Sequence, residues 1–171
     1  KSTIYAVATV QEEVGLKGAK VAAYGLDPDV AIASDVTVPG DHPGIEKKDA
    51  PIEMGNGPVV VVADASGRGI MATPQILEWM VGTAREFGIP VQMEASEGGT
   101  TDATSIYLTK SGIPTGVISV ATRYIHSPVE VLSLSDVERS AELMARCVET
   151  PARYFSPTSF LVHCVVAHCP F

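Results

Sequence analysis

The chain has 171 residues, a formal net charge of −8 and 46% hydrophobic residues. That length fits one domain with a sizeable core. The acidic balance excludes nucleic acid and anionic membrane surfaces as partners, because both demand a basic face. No apolar run reaches the roughly 18 residues of a spanning helix.

The chain opens on Lys1, two residues ahead of what reads as a core strand, so an N-terminally truncated segment is expected. Residues 3–11, rich in Ile, Val and Thr, predict a buried strand. Residues 14–24 have helical spacing at Leu16, Ala19, Ala22 and Ala23, with Gly25 as the stop. A short strand follows at 29–34 and ends at Asp35, then a long Gly/Pro-rich loop over 37–57. The continuous apolar run at 58–63 suits a central strand. Thr73 and Pro74 cap a helix that runs to Phe87 and stops at Gly88. Residues 91–93 predict a short strand, 94–101 a loop, 102–110 a helix and 115–121 another apolar strand. Ser135 and Glu138 form a capping box for a helix over 135–149.

Strands alternating with helices predict an α/β fold, a sheet covered by helices on both faces. Residues 150–171 differ: they have no clean period and read as an atypical C-terminal tail, either a terminal strand or readthrough sequence. The pairs His163-Cys164 and His168-Cys169 lack the usual zinc-site spacing. Three cysteines, Cys147, Cys164 and Cys169, fit no disulfide framework, and no leader pattern opens the chain; a reducing, cytoplasmic setting is expected.

The chemistry-bearing residues follow three different strands. Glu12 and Glu13 are adjacent carboxylates closing an apolar run, costly unless something positive sits there. Neighbouring strand side chains point to opposite faces, so both serve one site only if the backbone bends, and Gly15 is placed to help. Taken singly, the pair is better explained as an exposed acidic turn. Asp35 ends a strand, where ligands of open α/β sheets gather, although taken alone an Asx-turn or capping role explains it better. His126 follows an apolar strand, whereas His42 sits in a Gly/Pro loop and looks solvent-facing. Two carboxylates, an imidazole and a spare carboxylate suit a metal-assisted hydrolase.

The segments VATVQEEVGLKGA (7–19), ASDVT (33–37), GNGPVVVVAD (55–64), EGGTTDA (97–103) and RYIHSPVEV (123–131) carry a resemblance. In this order, they make the chain similar to the C-terminal catalytic half of the glutamyl and tetrahedral (TET-type) di-zinc aminopeptidases over about residues 3–149. The resemblance implies a zinc-exopeptidase-like α/β/α sandwich with a mixed sheet, peptide substrates and a homo-oligomer. It implies Glu12 as general base, Glu13 and His126 as ligands of one metal, and Asp35 as ligand of a second. Asp102 is implied on the substrate side, as an amine or metal-shell contact. The family's His-x-Asp segment, its bridging Asp and a small dimerisation domain are not among these residues, and Ala121 stands where Pro is common. The chain therefore carries ligands for about one and a half of the family's two zinc or cobalt sites. Two divalent ions about 3.5 Å apart repel by roughly 20 kcal/mol at an effective dielectric of about 20, which a shared carboxylate offsets. An inactive scaffold or subunit is the alternative expectation. A glycoside hydrolase ranks last, since adjacent Glu12 and Glu13 do not flank a bond across about 5–9.5 Å.

Overall fold

The computed structural model describes residues 3–155 and the strand at 161–166, the latter through its backbone. The elements in chain order are β1 (Thr3–Ala8), α1 (Lys17–Leu26), β2 (Val30–Thr37), β3 (Val59–Ala63), a 3-10 turn (Ala65–Gly67), α2 (Pro74–Phe87), β4 (Gln92–Ala95), α3 (Asp102–Tyr107), β5 (Thr115–Arg123), β6 (Val131–Leu132), α4 (Leu134–Glu149), α5 (Pro151–Tyr154) and β7 (Leu161–Val166). The sheet order is β1-β7-β2-β5-β3-β4, with β6 on β5. Strands β1, β7, β2 and β5 are mutually parallel, β3 and β4 are parallel to each other, and β3 and β6 run antiparallel to β5. The expected α/β architecture with a mixed sheet is what the chain adopts.

Strand periodicity divides the core. Val30 and Ile32 of β2, Val60 of β3 and Ile118 of β5 pack with Ile76, Trp79, Met80, Leu143 and Cys147 of α2 and α4. Ala31 lies on the opposite face with Ala19, Ala23 and Ile106 of α1 and α3, and Ala33 there packs with Val61, Val117 and Ala103. Helices thus cover both faces. On the α2/α4 side, the Trp79 indole N–H donates to the Cys147 carbonyl (3.1 Å) and to Thr150 Oγ1 (3.3 Å), so the largest core side chain has its polar atom satisfied.

Several boundaries differ from the sequence reading. The helix expected at 14–24 begins at Lys17, because residues 12–16 fold into a tight turn, and it continues through Gly25 to an Asp27 cap in the left-handed region. Strand β1 stops at Ala8 and is exposed, with Ile4 at 51% accessibility, because among the described residues only β7 lies beside it. Alternation and composition report apolarity; burial also needs a neighbour. Strand β2 runs two residues past Asp35, and α3 ends three residues early. The capping box on Ser135 does not form: Ser133 is the N-cap without a side-chain capping bond, and the two serine hydroxyls lie 2.8 Å apart. His42 is half-buried and its ring packs 5.0 Å from that of Tyr124. In the tail, β7 enters between β1 and β2. Cys147 is buried, while the side chains of His163 and Cys164, and all of His168 and Cys169, lie outside the described residues.

A buried carboxylate helps to pin the long 37–57 loop, alongside the Gln92 side chain and the Arg123–Asp41 pair. Asp136, fully buried in the first turn of α4, accepts the Gly55 N–H (2.6 Å) and the Gly57 N–H (2.9 Å). Charge-assisted bonds to buried amides are among the stronger polar contacts. Asp136→Ala is expected to destabilise the fold by about 3 kcal/mol, and Asp136→Asn by about half of that, as measured by urea unfolding followed by circular dichroism.

Candidate metal and proton-transfer site

The sheet topology brings the chemistry-bearing residues to one place. Strands β1, β2 and β5 share a direction, so the chain leaves all three at the same edge of the sheet, where ligands of open α/β sheets collect. Glu12 and Glu13 follow β1, Asp35 lies near the end of β2 on the face shared with Ala31 and Ala33, and His126 follows β5.

The Glu12–Glu13 turn closes on itself. The N–H groups of Gly15 (3.0 Å) and Leu16 (2.9 Å) donate to the Glu12 carbonyl, and the Gly18 N–H donates to the Val10 carbonyl (3.0 Å). Gly15 has φ +116°, available only to glycine at low cost. A Cβ on Gly18 would fall 2.5 Å from the Val10 carbonyl oxygen, so only glycine lets α1 start this close to the turn. This bend, rather than a regular strand, allows both carboxylates to serve one region.

Glu13 Oε1 lies 2.8 Å from His126 Nε2, joining positions 113 residues apart (126 − 13). His126 itself has φ +64°, and its backbone N–H donates to Glu130 Oε1 at 3.0 Å, which holds the ring-bearing loop in that conformation. Glu12 is half-buried. Burial first, then the charges of Asp35, Glu13 and Asp102, push its carboxyl up to about 7, with the His126 ring opposing them. Asp35 Oδ1 accepts the Val36 N–H at 2.7 Å. Asp102 is 2% exposed and its Oδ2 accepts the Thr9 hydroxyl at 2.5 Å.

The structure therefore brings Glu13 and His126 into contact and sets Glu12 within electrostatic reach of Asp35, Glu13, Asp102 and His126. It does not close Glu13, Asp35 and His126 into a single donor cluster: among the described residues no group of three or more His, Cys, Asp or Glu side chains is arranged to hold a metal ion. The donors in contact, a carboxylate oxygen and an imidazole nitrogen, match zinc or cobalt in kind, so the fit is that of a two-donor set. Two residues escaped the sequence reading. Thr9 gave no signal, since a threonine at a strand end is ordinary. Glu94, 6% exposed and bonded at 2.6 Å by the Thr37 hydroxyl two residues past Asp35, read as part of a polar loop.

Known proteins resemble this chain in sequence and in fold. The M42 glutamyl aminopeptidase family model matches residues 1–143. A putative aminopeptidase of Acetivibrio thermocellus is 44% identical over 145 residues, 85% of this chain and 42% of that protein. An aminopeptidase from the archaeon Desulfurococcus kamchatkensis superposes with a TM-score of 0.79 at 43% identity, covering 88% of this chain and 43% of its own. The Pyrococcus horikoshii TET1 peptidase, which can assemble into a tetrahedron or a large octahedral shell, superposes at 0.63 with 31% identity over 81% of this chain and 38% of that one. The chain spans about two fifths of the length of these relatives.

The raised Glu12 carboxyl gives a pH-dependent stability. Its value is about 7 in the folded chain against 4.5 for an ordinary glutamate. The folded state thus holds the proton more tightly, and this contribution is whole below pH 4.5 and is lost as pH rises through about 7. Buried Asp64 and Glu94, also pushed up by desolvation, act in the same direction. The melting temperature of the metal-free chain is expected to fall between about pH 5 and pH 8. The fall should be shallower in Glu12→Gln; identical slopes in the two proteins would show that Glu12 does not carry it. By sequence and by fold, this chain belongs to the M42 glutamyl aminopeptidase family.

Proposed function

We propose that this chain carries the proton-transfer residue and part of the metal-binding apparatus of an aminopeptidase, which removes the N-terminal residue from peptides. The observation that carries this reading is the Glu13–His126 contact at 2.8 Å beside a Glu12 carboxyl pushed up to about 7. A carboxylate oxygen and an imidazole nitrogen this close are two donors of the kinds that a divalent zinc or cobalt ion takes. Glu13 and His126 would hold one divalent ion, zinc or cobalt, and Asp35 would supply one donor toward a second. Such an ion polarises the scissile carbonyl and acidifies an attacking water.

The remaining steps belong to this chain's side chains. Glu12, beside the Glu13–His126 pair, takes a proton from the attacking water and delivers one to the departing amine. Asp35 and Glu13 keep the Glu12 proton affinity high, and His126 limits the rise. The assembly reported for the TET1 peptidase of Pyrococcus horikoshii supports a homo-oligomer here, and a cytoplasmic location completes the proposal.

Hydrolysis of aminoacyl-nitroanilides with added Co²⁺ or Zn²⁺ tests the activity. Turnover is expected to drop at least about a hundredfold in Glu12→Gln, as for loss of a general base. Metal-independent inertness of the unaltered chain would instead mark it as a scaffold. Calorimetric titration is expected to show one weak zinc site, removed by His126→Ala. Two tight sites would refute the two-donor reading.

A further inference from the structure

We propose that Asp102 is a positioning residue: through the Thr9 hydroxyl it holds the Glu12–Glu13 turn where Glu13 meets His126 and Glu12 faces Asp35. The purpose of this tie rests on the metal-hydrolase reading, but its geometry does not. The Thr9 Oγ1–Asp102 Oδ2 bond is 2.5 Å long, spans 93 positions, and lies between side chains that are 3% and 2% exposed. A hydrogen bond between two side chains this well buried is hard to exchange for water.

The turn needs such a tie. Gln11 (φ +60°), Gly15 (φ +116°) and Leu16 (φ +55°) all occupy the left-handed side of backbone space within six residues, and two of the three are not glycine. Conformations of this kind persist when their surroundings over-determine them. The bonds to the Glu12 carbonyl fix the shape of the turn, but they are internal to it. Thr9 sits where β1 becomes the turn, so a bond there sets the turn's position relative to the rest of the molecule.

The other end of the tie is rigid. Asp102 is the first residue of α3, whose Thr101 cap accepts the Ala103 N–H at 3.2 Å, while the Ser105 hydroxyl donates to the Asp102 carbonyl at 3.0 Å. Ala103 and Ile106 of the same helix are wholly buried in the core beneath β2 and α1. Segment 97–103 is thereby fastened to the base of the Glu12–Glu13 turn.

Three substitutions separate the hydroxyl bond from the Asp102 charge. Thr9→Val removes the bond and keeps shape and charge. Thr9→Ser restores the bond. Asp102→Asn keeps an acceptor oxygen and removes the charge. Amide exchange of the metal-free chain by NMR is the first readout, together with the His126 ring signals that report its contact with Glu13.

In Thr9→Val, the Gly15 and Leu16 amides are expected to exchange about tenfold faster or more, with the His126 signals shifted and α4 amides unchanged. Thr9→Ser and Asp102→Asn are expected to stay within about twofold of the unaltered chain at the same amides. Cobalt binding, followed by its visible absorption, is expected to weaken about tenfold in Thr9→Val and to recover in Thr9→Ser.

Equal behaviour of Thr9→Val and Thr9→Ser in exchange and in the His126 signals would overturn the proposal. Should Thr9→Val lose α4 protection as well, the relative gain decides: a larger rise in exchange at Gly15 and Leu16 than in α4 would support the proposal, and an equal rise would overturn it. Failure of cobalt to bind the unaltered chain would sink the metal reading and leave the exchange arm to decide the positioning role.

Discussion

Like charge crowded at the shared end of parallel strands is the constraint around which this molecule is arranged. Glu12, Glu13, Asp35 and Asp102 stand close enough for the other three to raise the Glu12 carboxyl, and one imidazole opposes them. Each of the other acids has an answering group nearby: His126 for Glu13, the Val36 N–H for Asp35 and the Thr9 hydroxyl for Asp102. Glu12, half-buried among them, has its carboxyl pushed up by that burial and by their charges. A divalent ion would relieve the same crowding by Coulomb attraction, which is why crowded acids and metal binding go together.

Two further buried acids show how the same problem is met away from this end. Asp64 Oδ1 accepts the Ile70 N–H at 2.6 Å and Glu94 accepts the Thr37 hydroxyl at 2.6 Å. Both are nevertheless pushed above the ordinary carboxylate range by burial, and the Asp64 charge adds to the rise at Glu94. Asp136 also lies fully buried, with two backbone N–H groups on its carboxylate. Some of the 20 acidic residues are therefore internal and hydrogen-bonded rather than part of the solvated surface.

The frame that makes this possible is β5. It runs parallel to β2 on one side, in register from Ala31↔Thr115 to Thr37↔Ala121, and antiparallel to β3 on the other. Its parallel side carries His126 to the edge where Asp35 lies. Its position between α2 and α4 on one face and α3 on the other buries it almost end to end.

Local chemistry made much of this legible before any coordinates. The apolar runs at 58–63 and 115–121, the Thr73-Pro74 start and the Gly88 stop of α2 depend on neighbours in sequence, and all appear as read. The residue types of the site, paired carboxylates, a strand-end Asp and a loop His, likewise follow from the chain itself, as does family membership through QEEVGLKGA and RYIHSP. Tertiary structure decided the rest, because it depends on partners far away along the chain. β1 has the composition of a buried strand and lies exposed, and β7 comes from an aperiodic tail to sit inside the sheet. Thr9 and Asp102 acquire a joint role only when folding brings them 2.5 Å apart, and Glu13 meets His126 while no three donors among the described residues are arranged to hold an ion. Covalent order specifies which groups are available; the cumulative geometry of a twisted, mixed sheet specifies which of them touch.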